Sequence, residues 1–337
     1  MFNIIFGVGN MNKIVKNTMI LTLLLFFVIS LFLTGCAQKA APDKDKVKLR
    51  LKWIHQAQFA GYHTAEQKGF YDQNGIDVDI IPGGAESPSI QMVASGSEQF
   101  GVTGMGQLME ARAKDVPVVA LAVIYRKNPL IWFSVDPNIT TAQDLAGKKV
   151  GVTIGSNSDI LFRAMLKKAG VNIDQVEIVP VKYDISILLA GEIDAYEGYL
   201  INQPLSAREN GFETYIINPT DYGINFYGDT LFTTEEMIEK NPDLVRRFVK
   251  ASLQGWEYAY EHPDEAVDYT LSYSDQLTKE HETGMMQASL ELIKPDEKPI
   301  GTIERPVLEE MHELLVSNGI LDKPINLDEL YTAEFLE

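Results

Sequence analysis

The sequence predicts an α/β protein of two lobes with a helical C-terminal segment. Three observations carry this expectation. Short apolar strands alternate with helical stretches from Val47 onward, the pattern starts again near Thr140, and from about Thr233 the chain becomes helical. The part from about Val47 to the end, roughly 290 residues, is also too long for one small core and suits two lobes.

The elements follow in order. Leu49 to Trp53 alternates with period two, as a half-buried strand does, and Phe59 to Lys68 has helical spacing that stops at Gly69. Ile76 to Ile81 is a second strand. Ser87-Pro88 has the form of an N-cap followed by proline at the first helical position, opening a helix to Ala94. Phe100 to Thr103 is a strand, Gly104-Met105-Gly106 a turn, and Gln107 to Lys114 a helix. Val118 to Tyr125 and Leu130 to Val135 are apolar strands. In the second unit, Thr140 to Gly147 is a short helix, Lys149 to Thr153 a strand, and Gly155 to Asp159 opens a helix that reaches Ala169. Val176 to Val181, Ile185 to Ala190 and Ile193 to Ala195 follow as strand, helix and short strand. Thr233-Thr234-Glu235-Glu236 fits a capping box, and Asp243 to Tyr260 makes a long helix. The first sheet is expected to be mainly parallel and the second unit to be another α/β unit, with ligand binding in the cleft between them, at the carboxyl ends of the strands.

The start of the chain has another character. Lys13 and Lys16 are the only charges before Cys36, and Met19 to Leu33 is apolar. A basic start and a short apolar core predict a secretory signal, since the run is shorter than the ~20 residues a spanning helix needs. Leu33-Thr34-Gly35-Cys36 resembles a bacterial lipobox, which implies cleavage before Cys36 and lipidation of its thiol. Residues 1–35 are therefore expected to be the signal peptide and 36–46 a lipidated tether. Residues 47–136 with about 233–337 are assigned to the first lobe, and about 137–232 to the second. Cys36 is the only cysteine, which excludes an internal disulfide and a Cys-ligated metal centre. The five histidines show no metal-ligand spacing, and no metal or cofactor is expected. A net charge of −18 argues against nucleic acid and against adhesion to anionic lipid.

Five blocks carry a resemblance: KWIHQAQFAGYHTAEQKGFYDQNGIDVDI at 52–80, SGSEQFGVTGMGQLMEARAKDVPVVALA at 95–122, DLAGKKVGV at 144–152, LLAGEIDAY at 188–196 and NPDLVRRFVKASLQGWEYAYEHPDEAV at 241–267. Together and in this order they resemble the nitrate, sulfonate and thiamine-pyrimidine binding proteins of ABC importers. The resemblance implies the type II periplasmic binding protein fold, with one ligand clamped between two lobes. It also implies an ABC permease and ATPase as partners, a position on the extracytoplasmic face of the cell membrane, and a monomer. Eukaryotic pyrimidine synthases share the family. By register their cofactor-holding lysine falls at Thr103 and their histidine at Gln107, and their cysteine-rich iron motif falls near 223–232, where this chain has no cysteine. No enzyme activity is expected. A synthase-like enzyme, or a ligand-sensing lipoprotein with a separate signalling partner, are the alternatives.

The candidate ligand residues lie on the expected cleft loops. Trp53 offers a π face for a flat heterocycle, or packs between the lobes. Gln56, Gln58 and Tyr62 follow it with groups that donate and accept. Gly104 and Met105 join a strand to a helix start, where backbone N–H groups attract acceptors, unless they form a tight turn only. Ser156 and Asn157 open the matching helix of the second lobe and can cap it or bind. Glu197, Tyr199 and Asn202 follow a strand and offer a carboxylate, a ring and an amide. Tyr125 adds a ring, and Asp229 is a cleft or turn residue. Few basic residues sit here; Arg126 is the exception, and Lys52 is expected to point away from Trp53 along its strand. The expected ligand is a small, flat, nitrogen-rich heterocycle of the thiamine-pyrimidine type.

Overall fold

The computed structural model describes residues 44–336 apart from 85, 155–156 and 182–183; the side chain of Asn157 is also outside the description. The expected signal peptide, Cys36 and the tether lie outside the described residues. Among the described residues there are ten strands. They are β1 (Asp45–Arg50), β2 (Ile76–Ile81), β3 (Phe100–Gly104), β4 (Val118–Val123), β5 (Leu130–Ser134), β6 (Lys149–Val152), β7 (Glu177–Pro180), β8 (Ala195–Tyr199), β9 (Tyr215–Ile217) and β10 (Asp229–Thr234). Helices α1 (Ala60–Gln67), α2 (Phe70–Gln73), α3 (Ser89–Ala94) and α4 (Met105–Ala113) belong to the first half, and α5 (Asn157–Lys168), α6 (Ser186–Leu189) and α7 (Gln203–Glu209) to the second. The C-terminal helices are α8 (Glu235–Lys240), α9 (Pro242–Glu261), α10 (Pro263–Leu271), α11 (Lys279–Ile293), α12 (Arg305–Ser317) and α13 (Leu327–Leu330).

The strands form two five-stranded sheets of matching design, ordered β2-β1-β3-β10-β4 and β7-β6-β8-β5-β9. In the first, β10 runs antiparallel to both β3 and β4. In the second, β5 runs antiparallel to both β8 and β9. The first sheet is thus mainly parallel, as expected, and so is the second, each with one reversed strand. The reversed strand is in each case the one that enters after the chain crosses from the other sheet. The chain crosses between β4 and β5 and returns between β9 and β10. Leu130–Ser134, counted with the first unit by sequence, therefore pairs in the second sheet, and Asp229 to Phe232, counted with the second, pair in the first as the start of β10. Alternation identifies a strand but does not say which sheet completes its hydrogen bonds.

Other local differences have physical causes. β1 spans Asp45–Arg50 rather than Leu49–Trp53, because its parallel register against β2 ends at Arg50↔Ile81. β8 continues past Ala195 to Tyr199 because β5 supplies partners as far as Leu130↔Tyr199. Pro88 sits just outside α3 in extended backbone (φ −61°, ψ 128°), so the helix starts one residue later than the proline signal suggests. The cap of α8 is Thr234, whose hydroxyl oxygen accepts from the Met237 N–H at 3.2 Å.

The long helix α9 buries Val245, Phe248, Val249, Ser252, Gly255, Trp256 and Ala259 along one face. That face packs on α1 in the core behind β1 and β3. The approach is close: a Cβ on Gly61 would stand 2.0 Å from the Trp256 ring, and one on Gly255 2.2 Å from the Gly61 carbonyl oxygen. The first sheet and the N-terminal end of α1, which carries the candidate loop, are anchored by this contact.

Candidate functional site

The site is built where β1 ends. The Arg50 guanidinium is fixed by Glu98, with Nε donating at 2.8 Å, and by the Pro82 carbonyl at 2.6 Å. The chain then leaves the sheet as an irregular bend before the first turn of helix at Ala57. The bend stays close to the end of β2. Leu51 N–H donates to the Ile81 carbonyl at 2.9 Å, and Gly83 N–H to the Trp53 carbonyl at 2.8 Å. Only glycine permits this approach at position 83, since a Cβ there would lie 2.0 Å from the Leu51 carbonyl oxygen. Period-two alternation therefore stops before Lys52, and Lys52 and Trp53 both face the same space.

That space is a cavity of about 450 Å³. Lys52, Trp53, Gln56, Gln58, Ser89, Ile90, Thr103 and Gln107 line it from elements of the first sheet, and Ile185, Tyr199, Asn202, Gln203 and Ser206 from elements of the second. A smaller cavity of about 160 Å³ is lined by Gly104, Asn128, Thr153, Glu197 and Phe226 among others. Lys52, Gln107 and Tyr199 line both cavities, so the two adjoin. Both lie beyond the carboxyl ends of β1, β3 and β8, and the smaller also beyond that of β6, where open α/β sheets bind ligands.

A polar network sits at the junction. Lys52 Nζ donates to Asp229 Oδ1 at 2.9 Å and to the Tyr199 hydroxyl at 3.2 Å. Gln58 Nε2 donates to Asp229 Oδ2 at 2.7 Å, and Gln56 donates to Gln58. Burial works against the charge on Lys52, but Asp229 and Tyr199 outweigh it and hold the ammonium well above the usual lysine range. In the smaller cavity Glu197 accepts from the Thr153 N–H at 2.8 Å and from the Thr153 hydroxyl, which ties β8 to the end of β6.

The predicted site residues divide. Trp53, Gln56, Gln58, Tyr199 and Asn202 line the larger cavity, and Gly104, Glu197 and Tyr199 the smaller. Ser156 and the side chain of Asn157 lie outside the described residues.

Tyr62 is corrected: it is fully buried against Trp256 with ring centroids 5.4 Å apart, because its phase on α1 faces α9. Tyr125 is also buried; its hydroxyl donates to Ser289 at 2.9 Å and lies 3.3 Å from the Gln58 carbonyl, which supports the loop from behind. Met105 is wholly buried and its N–H donates to the Gly228 carbonyl at 3.3 Å, while the Gly104 N–H donates to Gln107 Oε1 at 2.9 Å. Those two N–H groups are therefore occupied and offer nothing to a ligand. Asp229 lies under the cavity floor and orients Lys52 and Gln58. Arg126 lines neither cavity; its guanidinium is bound to Asp296 and to Glu304 at 2.8 Å.

Lys52, Thr103, Gln107, Ser89, Gln203 and Ser206 were not assigned to binding from sequence. The positions just after strand ends and at the first turns of the following helices would have found most of them.

The fold matches that of solved proteins. The periplasmic aliphatic sulphonate binding protein SsuA from Escherichia coli superposes with a TM-score of 0.68 at 17% identity, covering 88% of this chain and 94% of that one. The fold is the type II periplasmic binding protein fold. The NMT1/THI5-like family model matches residues 56–266, and the chain belongs to that family. Among curated relatives, the formylaminopyrimidine-binding protein of Halalkalibacterium halodurans is 27% identical over 330 residues, 94% of this chain and 99% of the relative. The riboflavin-binding protein RibY of Chloroflexus aurantiacus is 24% identical over 318 residues, 89% of this chain and 88% of the relative. Among the described residues no helix is long and apolar enough to cross a membrane.

Proposed function

We propose that this chain is the extracytoplasmic solute-binding lipoprotein of an ABC importer and captures a small, flat, nitrogen-rich heterocycle. The ligand sits in the cavity between two lobes, residues 44–123 with 229–336 and residues 130–217. The protein works as a monomer, delivers its ligand to a membrane permease driven by an ATPase, and catalyses nothing itself. The observation that carries this reading is the composition of the larger cavity wall. Trp53 and Tyr199 offer ring faces, and Gln56, Gln58, Asn202, Gln203 and Ser206 offer neutral groups that both donate and accept. A site for a small inorganic anion would present several cations or open helix N-termini. Here Lys52 is the one Lys or Arg side chain among the described wall residues of either cavity. Two curated relatives are named for nitrogen heterocycles, a formylaminopyrimidine and riboflavin.

Thr103 and Gln107 line the larger cavity where a pyrimidine synthase would carry lysine and histidine. Threonine forms no Schiff base and glutamine has no imidazole, which favours binding over synthesis.

The test is calorimetry with aminopyrimidines, riboflavin, alkanesulfonates and nitrate on wild type, Trp53→Ala and Glu197→Gln. A heterocycle should bind, and each substitution should weaken it by roughly tenfold or more. Tight binding of a sulfonate or nitrate, with no heterocycle bound, refutes the reading. Anchoring is tested separately: wild type should incorporate labelled fatty acid, and Cys36→Ser should not.

A further inference from the structure

The turn that carries Gln56 and Gln58 begins with an unmet need. Ala57 opens its helical part, Gln56 before it gives no side-chain cap, and the Ala57 N–H is an orphan donor on a wholly buried residue. Glu282, 225 positions along the chain on α11, supplies the acceptor. Its side chain is buried, and burial raises the carboxyl above the usual glutamate range against the pull of the Ala57 N–H and His281. The far end of the turn is held from the same helix, because Ser289 accepts from the Tyr125 hydroxyl that lies 3.3 Å from the Gln58 carbonyl.

Another side of α11 meets the second sheet's elements. His281 Nδ1 lies 2.9 Å from Glu209 Oε1, and a Cβ on Gly284 would meet the Leu205 methyls at 3.4 Å. Four residues forward on α7, from Leu205 to Glu209, match three back on α11, from Gly284 to His281. The two helices therefore run antiparallel along a seam between the lobes. Ile201, just before α7, is wholly buried in the core behind the first sheet. Gln203 and Ser206 of α7 also line the larger cavity. Helix α11 thus stands between two parts of the cavity wall, the Gln56–Gln58 turn and α7.

We propose that Glu282 is a positioning residue of the ligand site, and that closure of the α7–α11 seam keeps water from its carboxylate so that it holds the turn. The bond to the Ala57 N–H fixes where the helical turn starts, and so where the Gln56 and Gln58 amides stand at the cavity. When the seam parts, water reaches the carboxylate and competes with the Ala57 N–H for it, and the turn loosens. Opening the lobes then releases two parts of the wall together, α7 by moving away and the turn by losing its hold. The inference rests on the cavity being the ligand site and asks nothing of the ligand's chemistry.

The experiment follows hydrogen exchange of the Ala57 amide in the ligand-free protein, so its outcome does not depend on which ligand the cavity takes. Glu282→Ala should speed that exchange by roughly tenfold or more, because a buried donor is left without its acceptor. Glu282→Gln keeps an acceptor oxygen in the same place and should stay within about threefold of wild type. Leu205→Ser with Glu209→Ala weakens the seam while leaving every residue of α11 and of the turn unchanged, and should speed Ala57 exchange by roughly tenfold. In all three variants the amides of β1 and β2 should exchange as in wild type, which separates the turn from the fold as a whole. An Ala57 amide that keeps the wild-type rate in Glu282→Ala, or that speeds only in step with β1 and β2, overturns the positioning role. The same behaviour in the seam variant overturns the link to lobe closure. Either result leaves the heterocycle reading intact, since calorimetry judges that on other variants.

Discussion

Gly61→Ala and Gly284→Ala make the same chemical change in two helices and should shift stability in opposite directions. On helix propensity alone each gains up to about 1 kcal/mol, because alanine loses less backbone entropy than glycine. At Gly284 on α11 nothing opposes this gain: the added Cβ meets only the Leu205 methyls at 3.4 Å, an ordinary contact. At Gly61 the same carbon would lie 2.0, 2.3 and 2.5 Å from three atoms of the Trp256 indole. Those distances are about 1 Å or more inside normal contact, and Trp256 is buried at 1% exposure. Helices α1 and α9 must separate, and overpacking of this kind costs about 1–3 kcal/mol or more. The cost exceeds the propensity gain, so Gly61→Ala should be destabilised by about 1–2 kcal/mol net. Gly284→Ala should be neutral or stabilised by up to about 1 kcal/mol. Urea melts of both variants against wild type measure this as midpoint shifts at constant slope. Calorimetry should also show weaker ligand binding for Gly61→Ala alone, since α1 carries the Gln56–Gln58 turn at its head. An increase in stability for Gly61→Ala would refute the tight α1–α9 contact.

Acid should destabilise the protein in two windows. His63 is fully buried, which together with the neighbouring His55 holds its pKa well below the usual value, so the unfolded chain binds the proton first and stability falls as pH drops below about 6.5. His63→Phe should flatten that slope in pH-dependent melts. Asp296, bound by Arg126 and by the Lys298 N–H, titrates at about 2, so its contribution is complete above the ordinary Asp range and lost as pH falls through about 2. Asp296→Asn should remove that lower step. Ligand contacts from both lobes should favour a closed state, so small-angle scattering should show a smaller radius of gyration with ligand; an unchanged radius would count against the clamp.

Much of the fold is legible in the sequence because its signals are local. The alternating strand Ile76–Ile81, the helix closed by Gly69 and the long amphipathic stretch of α9 each depend on periodicity and punctuation within a few residues. The candidate site is partly legible for the same reason: Trp53, Gln56 and Gln58 follow a strand end, and so does Asn202, while Tyr199 closes β8, all where α/β sheets bind ligands. Sequence also excludes an internal disulfide and a metal centre built from several cysteines, since the chain has a single cysteine. Which sheet receives β5 and β10 is decided only by tertiary pairing, because a strand's alternation is the same whichever neighbour completes its hydrogen bonds. Side-chain direction follows the same rule. Tyr62 and Tyr125 look like site aromatics but turn to the core, where Trp256 and Ser289 await them. Lys52 looks like a solvent-facing strand lysine, yet it enters the cavity because the chain leaves the sheet at Arg50 and Asp229 returns from 177 residues away to neutralise it. A buried ammonium is tolerated only beside such a partner, and the partner's position is a property of the folded chain.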